Sequence, residues 1–340
     1  MKSNVPIKIS DIARLAKVSP STVARVVHNN GYVAADKRRV IEELLNQQGY
    51  VPNKVAQGLR MKRTDFIGHV LPLNVENPIM VQIGTAFQEA AEQAGYHVLT
   101  AISRNSPEQE ALLIRDMVGM MVEAIVFTTE TVCDSSVIEW VLSKGIPIVM
   151  LERIRPIAGI SAVLLDSFEG PRLAVNHFAQ HGHRRIAFIG KETSRTVEHM
   201  RYEGYLQTMI ACGLQVLPTW THFVDDYTID RGYAAMRAVY EAEQPPTAVF
   251  AASDLLACGA MQFLYEKGLR IPEDVSLIGH DNTLAALCAP PLTTIALSTE
   301  EVAQAAITLI REQLSPRSAD ARQITLTPRL VERKSVSNAE

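Results

Sequence analysis

The sequence predicts a small helical head followed by a two-lobed α/β body, on three observations. Apolar residues recur at helical spacing in three stretches of the first 50 residues. From Phe66 onward, short apolar runs alternate with helical stretches, in one series and then in a second. Charge divides along the same line: residues 1–63 hold 12 Lys and Arg against 4 Asp and Glu, and the rest hold 21 against 33. A basic head on an acidic body is the electrostatic footprint of a DNA reader with a separate regulatory part, even though the 340-residue chain has a net charge of −4.

The head begins with Lys8 to Asn30. Ile9, Ile12, Ala13, Leu15 and Ala16 share a helical face, with Ser10 placed as N-cap. Val18-Ser19-Pro20 ends that helix and starts another. Ser19 accepts from an orphan N–H of the new first turn, and Pro20 fits the first helical position, where its missing donor costs nothing. Val23, Val26 and Val27 form the apolar face of the second helix; Ser21, Thr22, Arg25 and His28 are polar on its others. The pattern describes a helix-turn-helix whose second helix enters the DNA major groove, against the plainer alternative of an amphipathic helical hairpin. Asp36 to Gln48 reads as a third helix, with Val40, Ile41, Leu44 and Leu45 apolar and Gly49 placed to end it. Asn53 to Arg60 reads as a short helix, marginal in isolation at this length.

The run DIARLAKVSPSTVARVV, followed by Gly49, Tyr50, Pro52, Asn53 and Ala56 and then Leu59, resembles the lactose-repressor (LacI/GalR) family of bacterial regulators. The resemblance extends to about Val336. It implies a DNA-binding domain over 1–52 and a hinge helix and linker over 53–65. That hinge folds on DNA, pairs with its twin in a dimer and pushes a leucine, here Leu59, into the minor groove; a flexible basic linker is the alternative. The candidate DNA contacts are Ser19, Pro20, Ser21, Thr22, Arg25, His28, Asn29, Lys37, Asn53, Ala56 and Leu59. Departures from the family pattern bear on the operator. Lys17 stands where the turn usually has Gly, Ala24 replaces a Ser of the recognition helix, and Ala34 and Lys37 replace a Ser and a Thr that commonly touch phosphate.

In the body, FIGHVLPL, HVLTAI, EAIVFTT and IPIVML alternate with helical stretches, and the pattern resumes with ISAVLLD, RRIAFIG, TAVFAASD and DVSLIGHD. Strands and helices alternating at this spacing argue parallel sheets covered on both faces. Leu292 to Leu297 and Ile324 to Val336 are late strands that return the chain to each lobe. The expected lobes are about 66–162 with 292–322, and about 163–291 with 323–337. The resemblance implies the periplasmic-binding-protein type I fold, two lobes hinged by three crossings.

Ligands of open parallel sheets bind beyond the carboxyl ends of the strands, and two facing lobes put those ends around one cleft. Asn74, Asn77, Glu152, Ser253, Asp254 and Asp281 follow strands, and such acids and amides suit hydroxylated ligands. The resemblance assigns effector-pocket positions to Asn74, Glu152, Arg195, Arg201, Tyr227, Ser253 and Asp281. Tyr227 is expected to supply a stacking face. Two arginines favour a carboxylate or phosphate on the ligand, whereas Glu152 favours a neutral polyol, so a sugar, a sugar acid and a sugar phosphate all stay open.

No phosphate-binding loop, nucleophile elbow or H-E-x-x-H motif is present. His181-Gly182-His183-Arg184-Arg185 precedes a strand and reads as a structural turn. Cys133, Cys212, Cys258 and Cys288 are far apart and form no metal-ligand spacing; they read as buried small hydrophobes in a reducing cytosol. No cofactor, metal or catalytic residue is expected. Without an export segment or an apolar run near the ~18 residues of a membrane span, the chain is expected to be cytoplasmic. The reading is therefore a homodimeric repressor of operator DNA controlled by a small carbohydrate-derived effector, dimeric because no leucine-heptad helix follows the last strand. Its rivals are a sugar-binding transport or receptor protein, an enzyme of sugar metabolism, and a nucleoside- or purine-responsive regulator.

Overall fold

Helices α1 (Ile9–Leu15), α2 (Pro20–Val27) and α3 (Ala35–Gln47) close around one small core of Ile12, Ala13, Val23, Val26 and Ile41. They belong to the first of two units, residues 1–64 and 65–340. The computed structural model describes residues 7–51, 64–72, 78–104, 106–128, 134–151, 159–191, 197–315 and 320–339. The expected hinge and its residues Asn53, Ala56 and Leu59 lie outside the described residues, as do Asn74, Asn77, Glu152 and Arg195.

Local chemistry sets the helix ends of the head. Ser10 is not the cap of α1: the cap is Lys8, two residues earlier, and its backbone N–H donates to Asp11 Oδ2 at 3.1 Å. A carboxylate at the third helical position reaches back to the orphan donor, so the cap moves upstream of the serine. Ser19 does cap α2, its Oγ accepting from the Thr22 N–H at 3.2 Å, with Pro20 first in the helix. Lys17 takes φ +53° in the turn, a left-handed conformation that costs a non-glycine residue on the order of 1 kcal/mol. Gly49 follows α3 at φ +60°, where glycine has no such cost.

Among the described residues, the second unit contains two six-stranded sheets. The first is built from β1 (Phe66–Leu71), β2 (His97–Ile102), β3 (Ala124–Phe127), β4 (Ile148–Leu151), β5 (Ser161–Leu165) and β11 (Gln323–Leu326). Its order is β11-β5-β4-β3-β1-β2, and every pairing is parallel. Helices α4 (Pro78–Gln93) and α11 (Thr299–Leu314) pack on one face through Ile83, Phe87, Val302 and Ile310. Helices α5 (Pro107–Gly119) and α6 (Ser135–Ser143) pack on the other through Ile114, Met117, Ile138 and Val141. With both faces covered, AIVF and IVML are buried at every position, which is why they read as unbroken apolar runs.

The second sheet has the order β12-β10-β9-β8-β6-β7. Its strands are β6 (Ile186–Lys191), β7 (Thr221–Val224), β8 (Ala248–Ala251), β9 (Ser276–His280), β10 (Thr293–Ala296) and the antiparallel β12 (Arg329–Val331). Helices α7 (Glu169–Gln180), α8 (Val197–Ala211), α9 (Ile229–Tyr240) and α10 (Asp254–Glu266) complete this lobe around Phe178, Phe188, Tyr205, Phe250 and Phe263.

The lobe boundaries differ from those read in the sequence. Strand β5 stays in the first lobe, paired Met150 to Ala162, so the first crossing falls after Leu165 rather than near residue 162. Strand β10 joins the second lobe beside β9, and β11 returns to the first beside β5, so the stretch 292–322 is split and the segment at 323 belongs to the first lobe. Apolar strands pair with whichever neighbour the whole sheet presents, and that choice is non-local. The alternation read from the sequence also omits β7 and α11.

Helices α9 and α10 cross at two glycines. A Cβ on Gly232 would strike the Leu256 carbonyl, and one on Gly259 would strike the Ile229 carbonyl and sit 2.5 Å from the Tyr233 nitrogen. Backbone atoms cannot yield as side chains do. Gly259→Ala is therefore expected to cost about 1–3 kcal/mol, read as a lower midpoint in chemical denaturation.

Candidate DNA-binding and effector sites

On the head, the first turn of α2 carries a tight hydroxyl cluster. Ser19 Oγ lies 2.7 Å from Ser21 Oγ and 2.8 Å from Thr22 Oγ1. Ser21 and Arg25 are exposed on α2, and Thr22 is half-buried. The Arg25 stem runs beside Gly31, its Cδ 3.6 Å from where a Cβ would stand. His28 ends α2 and is exposed. Asn29 is exposed at φ +48°, and its Oδ1 accepts from Arg38 Nη1 at 3.2 Å, tying the loop to α3. Lys37 is exposed in the first turn of α3, lining a shallow depression with Ala16, Lys17, Val18 and Val40. Lys17 and Lys37 thus put two cations beside the turn.

In the second lobe, Arg201 on α8 joins several strand ends. Its Nη1 donates to the carbonyl of Ala252, just past β8, at 3.1 Å and to the Tyr227 hydroxyl at 3.4 Å. Its Nη2 lies 3.7 Å from Asp281 Oδ1, one residue past β9. Of the sequence-predicted pocket residues described, Arg201, Tyr227 and Asp281 are therefore brought together at the carboxyl ends of the sheet. Asp281 takes φ +92°, with its N–H bonded to the Ile295 carbonyl at 2.8 Å. Burial opposes its charge, yet His280, 2.7 Å away, and Arg201 hold its carboxyl below the usual range. Burial, with Arg201 adding to it, lowers His280, so a neutral ring donates from Nδ1 to the carboxylate.

Ser253 has another use: its Oγ accepts from the Leu256 N–H at 3.2 Å, capping α10, and the residue is 1% exposed. Asp254 is also structural. Its Oδ2 accepts from the backbone of Thr283 at 2.7 Å, Leu284 at 3.1 Å and Ala285 at 3.2 Å, and its Oδ1 from Thr294 Oγ1 at 2.7 Å. Burial pushes this carboxyl up to about 6 against the Thr294 hydroxyl. Arg333 pins the same segment, donating to Asn282 Oδ1 at 2.7 Å and to the Leu292 carbonyl at 2.8 Å.

Sequence reasoning missed Lys191. It ends β6, and its Nζ lies 5.9 Å from the centre of the Tyr227 ring. The signal was available: a lysine closing the apolar run IAFIG holds the same strand-end position that marked the other candidates. Its amine lies over the ring face expected to stack a ligand. Burial raises the Tyr227 hydroxyl above its usual range, so it stays a neutral donor and acceptor.

The helical head matches the model of bacterial regulatory proteins of the lacI family over residues 8–53, and the second lobe matches a periplasmic-binding-protein-like domain over 175–336. Over 331 residues the chain is 31% identical to the transcriptional repressor PurR of Pasteurella multocida (strain Pm70), covering 97% of this chain and 98% of that protein. It is 33% identical over 336 residues to the transcriptional regulator DegA of Bacillus subtilis (strain 168), with the same coverage. The chain belongs to the LacI family. Among solved structures, a Lac repressor dimer bound to operator and an anti-inducer superposes with a TM-score of 0.86 at 25% identity, covering 98% of this chain and 100% of that one. A complex of the regulator CelR with cellobiose gives 0.71 at 27% identity over 97% and 99%. As a LacI-family member the protein is a DNA-binding transcriptional repressor and not an enzyme. Among the described residues no helix is long and apolar enough to cross a membrane, and no three His, Cys, Asp or Glu are placed to hold a metal ion.

Proposed function

We propose that this cytoplasmic repressor grips a pseudo-palindromic operator as a homodimer, and that a small carbohydrate-derived metabolite in the interlobe cleft sets its DNA affinity. The observation that carries the effector reading is the Arg201 cluster. One guanidinium holds Tyr227, the Ala252 carbonyl and Asp281 together where a parallel sheet presents ligands. An ionised Asp281 accepts from ligand hydroxyls, while Tyr227 both donates and accepts. The described charges around Tyr227 lean negative, with Lys191 and Arg201 against Asp281, the buried Glu198 and Asp226, whose Oδ1 accepts from the Tyr227 N–H at 2.8 Å. That balance favours a polyhydroxylated ligand of low net charge over a multiply charged phosphate. Asn74, Glu152 and Arg195 complete the proposed pocket.

A purine is the second reading, favoured because relatives bear the name PurR. Lys191 over the Tyr227 ring opposes stacking of a flat base there. A thermal-shift screen over neutral sugars, sugar acids, sugar phosphates and purine bases separates the two. A ligand at 100 times its Kd adds about 2.7 kcal/mol of stability. Sugars and sugar acids are expected to raise the melting temperature, and a rise with purines alone would select the second reading.

On the DNA side, the proposed contacts are Ser19, Pro20, Ser21, Thr22, Arg25, His28 and Lys37 from the head, joined by Asn53, Ala56 and Leu59 from the hinge. Asn29, whose Oδ1 also holds the loop to α3, is a further proposed contact. Leu59→Ala is expected to weaken operator binding by roughly tenfold or more, the loss of a 1.4 kcal/mol contact, with ligand affinity and melting temperature unchanged. Amide exchange over 53–60 should be fast in the free protein and slow on operator DNA, and slow exchange without DNA would contradict a hinge that folds on binding.

A further inference from the structure

Two cysteines that are far apart in the sequence and expected to be buried small hydrophobes meet in the second lobe. Cys258 lies in α10, and Cys288 follows the short 3-10 turn Ala285–Leu287. Their Sγ atoms are 3.6 Å apart across 30 positions of sequence. Both residues are half-buried, and the neighbouring Leu287 is 83% exposed, so the pair lies at the edge of the lobe rather than in its core. The two elements that the sulfurs join are already coupled. Asp254, one turn before Cys258, gathers the backbone N–H groups of Thr283, Leu284 and Ala285, and the same segment begins at Asp281.

We propose that Cys258 and Cys288 form a reversible thiol–disulfide site that locks segment 281–288 of the effector pocket against α10. The oxidant is a low-molecular-weight disulfide of the glutathione type. The hydrogen bond from Cys258, helped by Arg333, pulls the Cys288 thiol below its usual range, whereas that bond and burial push Cys258 up. Cys288, in the loop beside the exposed Leu287, is the attacking group; its thiol, which donates to the Leu284 carbonyl at 3.5 Å, gives its proton to solvent as it attacks. It bonds to one sulfur of the small disulfide and expels the other half as a thiolate. Cys258 gives its proton to solvent and attacks Cys288 Sγ, forming the Cys258–Cys288 bond and expelling the second half. Two electrons leave the protein thiols, and the reagent departs as two thiols after taking up two protons. Closure needs the sulfurs to approach by about 1.5 Å, to the ~2.05 Å of a disulfide, which side-chain rotation in a loop residue supplies. The lock concerns the pocket assigned above, but the bond itself forms whatever the effector is.

The test is oxidised glutathione added to the full-length protein, followed by non-reducing peptide mapping and amide exchange. Of the four cysteines, Cys258 and Cys288 should be lost together as one cross-linked peptide pair, and dithiothreitol should restore both. Exchange over 282–288 should slow about tenfold in the oxidised form. In the Cys258→Ser protein, which lacks the second nucleophile, glutathione should remain on Cys288. A glutathione adduct persisting on Cys288 of the unaltered protein would overturn the proposal. So would cross-links through Cys133, or through Cys212, whose thiol instead faces Asn176 Oδ1 at 3.5 Å. A cross-link that leaves exchange over 282–288 unchanged would overturn the lock. None of these readouts depends on which metabolite the cleft binds.

Discussion

Asp281→Asn and Arg201→Ala proteins are expected to bind operator with wild-type affinity and to have lost their response to the effector. Asp281 takes φ +92°, which asparagine tolerates better than most residues, so the amide substitution isolates the charge. Losing the carboxylate leaves ligand hydroxyls buried and partly unpaired, at about 1–3 kcal/mol. Arg201→Ala removes more: the Ala252 carbonyl, the Tyr227 hydroxyl and the Asp281 carboxylate all lose a partner. Breaking a buried ion pair costs stability as well, so this variant should also melt earlier, and Asp281→Asn is the cleaner probe. Allostery requires the ligand to favour one lobe arrangement over another, so removing its differential contact removes the response. Calorimetry with the metabolite found in the screen reads the first loss, and an operator titration in its presence reads the second. Variants that respond at wild-type ligand concentrations would place the pocket elsewhere.

Arg25→Ala should weaken operator binding by about 1–3 kcal/mol and relax preference at one base position, the behaviour of an arginine that reads a guanine edge. The side chain is exposed on α2, and its stem runs beside Gly31. Lys37→Ala should differ in kind, weakening binding on all sequences alike and flattening the salt dependence, because a phosphate contact acts mainly by releasing counterions. Titrations of both variants at several salt concentrations, on operator and on scrambled DNA, separate the two roles. Equal losses on both DNAs for Arg25→Ala would make it a phosphate contact.

What was legible in the sequence is what short-range chemistry decides. Ser19 and Pro20 announce the start of α2 because a cap and a missing N–H act within one turn. Positions 201, 227 and 281 were recognised from the family pattern, and the sheet order then explains why residues so far apart share one end of a lobe. Long-range pairing was not legible. Strands β5, β10 and β11 carry the same apolar character in either lobe, so the crossings moved. Asn29 and Ser253 have partners within the protein that the sequence did not announce. A polar side chain that a ligand would need is the same one that Arg38 or the first turn of α10 takes when nearby. Cys258 and Cys288 looked solitary because only the fold of the second lobe brings them to 3.6 Å.

The central claim is that one chain couples a small-molecule pocket to operator affinity. Its most direct test is the operator dissociation constant of the full-length protein, measured without and with a saturating concentration of the stabilising metabolite. The account predicts a change of about tenfold or more, a coupling of at least 1.4 kcal/mol, and one that depends on operator sequence. A metabolite that raises the melting temperature while leaving operator affinity unchanged, or that shifts binding to scrambled DNA equally, would contradict it.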